Sequence, residues 1–459
     1  MIHCFTIKSR NLVLDVASGS LHQVDDGTFG ALKLINEKAY LYSKPFSVAD
    51  FFADPANNGL VSDSIKGDIL ALAEAGQLFS PDNPHAAHSH METRQPVVKA
   101  MCLHMAHECN LRCGYCFAGD GTYSGEGLSD RGLMPAEVGK KALDFLIENS
   151  GARRNLEVDF FGGEPMLNFD AVKEVVAHGR KREAETGKKF RFTLTTNGAL
   201  LNEEANKYIN ENMDNVVLSL DGRKEVNDNM RRLNKGGGSY DTILPKIKAL
   251  AESRGQKNYY VRGTYTCHNL DFAADVLHMA SCGFKQLSVE PVVAPQDADY
   301  ALTEEHLPQL FAEYEKLADS LLERERAGEG VHFFHFEMDL DGGPCLAKRV
   351  TGCGAGAEYL AVTPSGQLYP CHQFVMDQSF RLGDLDSGII NKTLVSDFSA
   401  CHVFAKSECL NCWAKYYCSG GCMATAHHMN GHILKPDKVS CELQKKRIEC
   451  ALYMAAARV

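Results

Sequence analysis

Three cysteines, Cys109, Cys113 and Cys116, fall within eight residues as C-x3-C-x2-C, inside His107-Glu-Cys109-Asn-Leu-Arg-Cys113-Gly-Tyr-Cys116-Phe. Three thiolates on one short loop can hold three corners of a cubane iron–sulfur cluster and leave the fourth iron without a protein ligand. An open iron is a site for chemistry, whereas a four-thiolate cluster mostly carries electrons. A structural zinc site is the competing use, but zinc takes four N/S ligands, commonly from two C-x2-C-like pairs. No fourth cysteine lies near the triplet, and His104 or His107 would complete it only with strain.

A second, denser array lies in the last third of the chain. Cys353 precedes Gly366, Cys371 follows, and Cys409, Cys412, Cys418 and Cys422 come as C-x2-C-x5-C-x3-C, with Cys441 beyond. Cys345, just upstream, is an eighth candidate. Eight thiolates can hold two further cubanes, and zinc is again the alternative. The remaining cysteines, Cys4, Cys102, Cys267, Cys282, Cys401 and Cys450, fit no ligand spacing and read as free thiols behaving as small apolar groups.

Between the arrays, short polar motifs sit where strands should end. Gly162-Gly163-Glu164-Pro165 offers two glycines that let backbone approach a ligand and a carboxylate able to accept hydrogen bonds from an ammonium group. Thr195-Thr196-Asn197-Gly198 reads as a turn lining the same pocket, and Ser219-Leu-Asp221-Gly222 follows the next strand. Asn227-Asp-Asn-Met-Arg231-Arg232 and Gly236-Gly-Gly-Ser-Tyr240 come after it. Glu290 is either a further pocket residue or half of a structural ion pair.

The elements that must position these groups alternate. Strands are predicted at 100–106, 156–161, 190–195, 215–220, 258–266 and 286–293, with helices such as 135–149, 170–186 and 201–212 between them. That rhythm implies an α/β fold with a parallel sheet under outside helices. Six units suit a partial (β/α)6 barrel over residues 97–330, with its site at the C-terminal strand ends, where the triplet falls. Residues 331–459 are cysteine-dense and poor in helical periodicity, so their ligands must organise them. Residues 1–90 read as a separate module. Its strands are expected at Ile2-His-Cys-Phe-Thr-Ile and Asn11-Leu-Val-Leu-Asp-Val, turned by Ala17-Ser-Gly-Ser, with a third near Gln77-Leu-Phe. Helices are expected at 29–40 and 64–75, and the stretch Pro81 to His90 reads as a linker.

These motifs together resemble the radical S-adenosylmethionine (SAM) enzymes. The resemblance rests on the cysteine triplet with Tyr115 and Phe117 beside Cys116, on Gly162-Gly-Glu-Pro165, and on the turns at Thr196, Ser219 and Arg231 in family order. It implies one [4Fe-4S] cluster on Cys109, Cys113 and Cys116, to whose open iron SAM binds and is cleaved to a 5′-deoxyadenosyl radical. By the same match Glu164 holds the SAM amino group, Ser219 and Asp221 face its ribose, and Arg231 meets its carboxylate, with Arg232 as the alternative. The second array matches the SPASM pattern of the same enzymes. That match implies one auxiliary cluster on Cys345, Cys353, Cys371 and Cys422 and another on Cys409, Cys412, Cys418 and Cys441, three [4Fe-4S] clusters in all. If Cys345 does not bind, one auxiliary iron is open to a substrate thiolate. The front module resembles the winged-helix leader-recognition (PqqD-like) domain of peptide-modifying relatives, which adds an extended peptide to a sheet edge.

The whole chain is similar to the maturases of cysteine-rich SCIFF peptides. The likeness is most evident in Cys109-Asn-Leu-Arg-Cys113-Gly-Tyr-Cys116-Phe-Ala-Gly-Asp-Gly-Thr-Tyr123 and in the three-part layout. It implies thioether formation between a cysteine and a carbon of a ribosomal precursor peptide with a leader, using an electron donor of flavodoxin or ferredoxin type. A sulfatase-maturing enzyme that makes formylglycine and a non-catalytic iron–sulfur electron carrier are the other readings. No general base is identifiable.

Composition sets the outer limits. The 459 residues are 44% hydrophobic and 23% charged, an ordinary globular balance for two to four domains. The net charge of −11, with no basic arm, argues against nucleic acid. No apolar run is long enough to span a membrane and no signal-peptide pattern opens the chain. A cluster exposed to a substrate cavity is oxygen-sensitive, so a low-oxygen cytoplasm is the expected location. Seventeen cysteines without that pattern suit iron better than disulfides.

Overall fold

In the computed structural model the described residues are 1–42, 46–81, 96–119, 123, 132–338, 346–375 and 377–458. The chain opens with three antiparallel strands, β1 (Ile2–Ile7), β2 (Arg10–Asp15) and β3 (Leu21–Val24), in the order β1-β2-β3. Lys8 and Ser9, both at positive φ, turn β1 into β2. The Ala17–Ser20 segment instead turns β2 into β3, through Gly19 at φ +81°. The third strand is therefore Leu21–Val24, which pairs with β2 from Leu14↔Leu21 to Asn11↔Val24. Leu78 and Phe79, expected in a strand, are buried in the module's core after a tight turn, Phe79 at φ +52°.

Three helices follow, α1 (Asp26–Lys38), α2 (Val48–Ala53) and α3 (Asp63–Glu74). Asp25 caps α1 by accepting from the backbone N–H of Gly27 and Thr28. Alternation along the strands gives the small sheet two apolar faces. Ile2 and Val13 pack with Leu32, Ile35, Phe51 and Ile69 in a core of the module's own. Phe5, Ile7, Leu12 and Leu14 belong to the core of the main body. The module is thus half-embedded, and the long C-terminal helix α4 (Lys438–Arg458) lies against it.

The main sheet has eleven strands, mostly parallel, and carries the six expected units. In chain order they are β4 (Ala100–Ala106), β6 (Asn155–Gly162), β7 (Lys189–Thr196), β8 (Asn215–Ser219), β10 (Tyr260–Tyr265) and β11 (Gln286–Pro291). They pair in parallel in that order, and the sheet stays open. Alternate residues such as Val158, Phe160, Phe192, Leu194, Val216 and Leu218 are fully buried under the outer helices. The other face presents Asp159, Phe161, Thr193, Ser219, Arg262 and Glu290. Two short strands outside the units, β5 (Leu111–Cys113) and β9 (Arg231–Leu233), pair with each other. Residues beyond 330 extend both edges: β12 (His332–Phe333) pairs with β11, and β13 (Tyr359–Val362) pairs in parallel with β4. The cysteine-rich segment is therefore continuous with the barrel sheet. No described helix is long and apolar enough to cross a membrane.

Candidate metal and cofactor site

The triplet loop leaves β4 at Ala106 and is held from both sides. Cys113 pairs with Arg231 through β5 and β9, and Gly114 N–H donates to the Met230 carbonyl at 2.8 Å. On the other side Gly163 N–H reaches the Ala106 carbonyl at 2.7 Å and Glu164 N–H the Glu108 carbonyl at 2.9 Å. That approach is why glycines stand at 162 and 163. A Cβ on Gly163 would lie 2.1 Å from the Glu108 oxygen, and one on Gly162, at φ +115°, 2.3 Å from the Ala106 oxygen.

Glu164 is 1% exposed and accepts three hydrogen bonds. Met166 N–H and Thr196 Oγ1 donate to Oε1, and Asn197 N–H donates to Oε2, at 3.0, 2.8 and 2.8 Å. The GGEP and TTNG turns are thus one unit, with lone-pair capacity left on Oε2 for an ammonium. Pro165 opens the short turn that follows. Asn197 Nδ2 donates to Asn110 Oδ1 at 2.7 Å and lies 3.6 Å from Cys109 Sγ, which ties this unit to the triplet.

Below the loop lies a second network. The Tyr115 hydroxyl lies 2.7 and 2.9 Å from the two Asp221 oxygens and accepts from Arg231 Nη1 at 2.8 Å. Asp221, 1% exposed, also accepts from Thr264 N–H at 3.0 Å. Arg231 is 8% exposed, and its Nε is buried without a partner. Arg232 is exposed and donates to the Asn229 carbonyl, whereas Arg231 is buried against Tyr115. Asn227 is fully buried and donates to Ser239 Oγ, which donates to the Arg231 carbonyl. Ser219 ends β8, half-buried, beside Arg262 of β10.

The Arg231 charge favours the thiolate form of Cys109, Cys113 and Cys116, although burial is the larger effect and raises all three thiols, Cys113 to about 12. Free thiols held this way stay protonated at neutral pH, so loading the site with iron must release protons. The donor set fits an iron–sulfur cluster: soft sulfurs on one loop, a buried cation beside them and an unpaired Arg231 Nε facing anionic ligand chemistry. The sequence reading noted Tyr115 only as a ring beside Cys116. Its hydroxyl joins Asp221 to Arg231, an interaction spanning more than 100 residues that no local pattern signals.

The second array divides by position. Cys371 is influenced by Cys422 and Cys353, and Cys353 by Cys422. Separately, Cys441 is influenced by Cys418, Cys409 and Cys412, and Cys409 by Cys418 and Cys412. Burial raises the thiols of Cys353, Cys371, Cys409, Cys418 and Cys441, Cys409 to about 11 and Cys441 to about 12. Cys345 lies outside the described residues. Among the described residues no three His, Cys, Asp or Glu side chains converge on one point as ligands of a single ion would. Thiolates of a cubane sit on separate irons and need not converge. His372, next to Cys371, lies between Phe117 of the triplet loop and Phe161 of β6, with ring centroids 5.4 and 4.9 Å away. Glu290 is a structural ion pair, bound by Arg447 of α4 at 3.0 Å.

Residues 103–269 match the family model of the radical SAM superfamily. The likeness is to the radical SAM domain, over the stretch that holds the triplet and the GGEP turn. That superfamily uses a [4Fe-4S] cluster and SAM. The chain is 26% identical over 328 residues to a cysteine-type anaerobic sulfatase-maturating enzyme of Clostridium novyi, covering 68% of this chain and 84% of the relative. It is 21% identical over 441 residues to the radical SAM cyclopropyl synthase TigE of Paramaledivibacter caminithermalis, covering 93% of this chain and 89% of the relative. Among solved structures, anSMEcpe with bound AdoMet and Kp18Cys peptide superposes with a TM-score of 0.63 at 21% identity, over 78% of this chain and 99% of that one. Streptococcus suis SuiB bound to precursor peptide SuiA superposes with a TM-score of 0.55 at 17% identity, over 95% of this chain and 98% of SuiB.

Proposed function

We propose that this radical SAM enzyme modifies a ribosomally made, cysteine-rich peptide and forms thioether cross-links within it. Cys109, Cys113 and Cys116 would hold the cluster, which with SAM would supply radical chemistry for hydrogen abstraction. Glu164 and Arg231 are placed to hold the amino and carboxylate groups of SAM. Thr196 and Asn197 fix the Glu164 carboxylate, while Tyr115 and Asp221 fix Arg231. Cys353, Cys371 and Cys422, with Cys345, would hold one auxiliary cluster, and Cys409, Cys412, Cys418 and Cys441 the other. Phe161 and His372 line the face between the triplet and Cys371, where the peptide would lie.

The observation that carries the peptide reading is the front module. Its strand β3 is a sheet edge, paired only to β2 among the described residues, and can accept an extended leader as a further strand. The sulfatase-maturase structure is matched almost entirely by 78% of this chain, whereas SuiB is matched over 95% of it. The additional length favours a leader-dependent peptide enzyme over a sulfatase maturase.

Anaerobically reconstituted enzyme, reduced and supplied with SAM and a leader-bearing cysteine-rich peptide, should yield a product lighter by two hydrogen atoms with no aldehyde. Removing the leader from the peptide should abolish turnover. An aldehyde product, or equal turnover without the leader, favours the sulfatase-type activity. Absence of 5′-deoxyadenosine would leave only an electron carrier.

A further inference from the structure

A buried cation sits inside the second cysteine array with no acid to neutralise it. Lys406, three residues before Cys409, is 2% exposed. Its Nζ donates to the Gly420 carbonyl at 2.6 Å. Among the described residues it makes no salt bridge; Glu408, whose charge it feels weakly, is exposed and bonded to Ser407. An ammonium taken out of water needs a compensating anion close by. The groups placed around it that can supply one are the cysteines: Cys409 N–H donates to the Lys406 carbonyl at 3.0 Å, and the Gly420 carbonyl that Nζ bonds stands two residues after Cys418 and two before Cys422.

The chain is shaped around this side chain. Ser419, Gly420 and Gly421 all adopt positive φ, at 60°, 81° and 73°, and curl the Cys418–Cys422 loop over it. A Cβ on Gly420 would come within 3.4 Å of Nζ. That loop carries one thiol of each group, Cys418 with Cys409, Cys412 and Cys441, and Cys422 with Cys353 and Cys371. Lys445, the other lysine whose charge reaches Cys412 and Cys441, differs in kind. Its side chain is 32% exposed and already paired with Glu442 at 2.8 Å.

We propose that Lys406 is the counter-cation of the cluster held by Cys409, Cys412, Cys418 and Cys441, and that its charge raises that cluster's reduction potential. The inference rests on the auxiliary-cluster reading above. A fixed positive charge in a site closed to water favours the more negative, reduced state of the cluster. Lys406 is a positioning and tuning residue, not a catalytic one.

The test uses full-length protein in a C109A/C113A/C116A background, reconstituted anaerobically and titrated by EPR-monitored reduction. The Lys406→Met variant should shift the reduced-to-oxidised ratio of one auxiliary couple at least tenfold toward oxidised, a fall of 59 mV or more for one electron. That couple should be the one missing in C412A. Lys406→Arg should restore the wild-type midpoint, and Lys445→Met should shift it by less than Lys406→Met. An unchanged midpoint in K406M overturns the proposal. If K406M loses the cluster, retention of iron and sulfide in K406R supports it, and equal loss in K406R overturns it by reducing Lys406 to a packing role. Wild-type protein that binds no auxiliary iron would instead overturn the cluster reading itself.

Discussion

Gly163 has no room for a methyl group. Its missing Cβ would overlap the Glu108 carbonyl, which belongs to backbone and cannot rotate away. Gly163→Ala should therefore displace the triplet loop from the GGEP turn, and SAM-dependent 5′-deoxyadenosine formation should drop at least tenfold, read by chromatography of quenched reactions. Tyr115→Phe removes the hydroxyl bridge between Asp221 and Arg231 and leaves Asp221 with the Thr264 N–H and a longer, direct ion pair to Arg231 at 3.7 Å. Losing one such partner costs about 1–3 kcal/mol locally. The expected result is retained iron with weaker SAM binding, measured by equilibrium binding to the reconstituted enzyme. Local sequence named the cysteines, Glu164 and Arg231 because ligand chemistry selects residue types at short spacing. It did not name the Tyr115 hydroxyl or Lys406, because their roles come from partners far along the chain or from burial that no short window encodes.

At the scale of elements, the C-terminal helix α4 is a strut between barrel and front module. Arg447, 7% exposed, reaches from it to Glu290 of β11 and to the Tyr314 hydroxyl at 2.8 Å. Arg447→Met should destabilise the fold by about 2–3 kcal/mol, less than the roughly 3–5 kcal/mol of a fully buried pair, because Glu290 keeps 30% exposure. Arg447, with His335 and Arg262, outweighs burial and lowers the Glu290 carboxyl to about 2. A carboxyl depressed in the folded state contributes stability that is present above its unfolded pKa, about 4.3, and lost as pH falls toward 2. Wild-type stability should fall over that window more steeply than that of Glu290→Gln, as measured by denaturant unfolding at stepped pH. The six parallel units were legible because each buried strand alternates with a helix. The third strand of the front module was not: Leu21-His-Gln-Val24 is short and polar, and pairing with β2, not its own pattern, makes it a strand.

At the scale of the molecule, the front module and the cysteine-rich segment meet directly. His3 of β1 stacks on Trp413 with ring centroids 3.7 Å apart and planes 5° apart, and pairs with Glu449 of α4 at 3.0 Å. Trp413 adjoins Cys412, so the sheet of the front module and the second array meet at this contact. Removing residues 1–81 would bare Phe5, Ile7, Leu12 and Leu14 contacts in the main core, and such a truncation should melt several degrees lower and aggregate. Trp413→Ala is the milder probe. It should leave iron content and peptide-independent SAM cleavage intact while lowering the melting temperature and weakening leader dependence.

Sequence by itself determined the chemistry available here: three thiols on one loop, two further thiol groups, and a carboxylate and guanidinium at strand ends. Spacing decides this, since metal ligands and turn glycines act over a few residues. The tertiary structure decided which groups meet. It joined Glu164 to the TTNG turn, chose Arg231 over Arg232 and bound Glu290 to Arg447. It also placed Lys406, buried, against the Cys418–Cys422 loop. Those outcomes depend on packing and desolvation between distant segments, which the order of residues along the chain does not display.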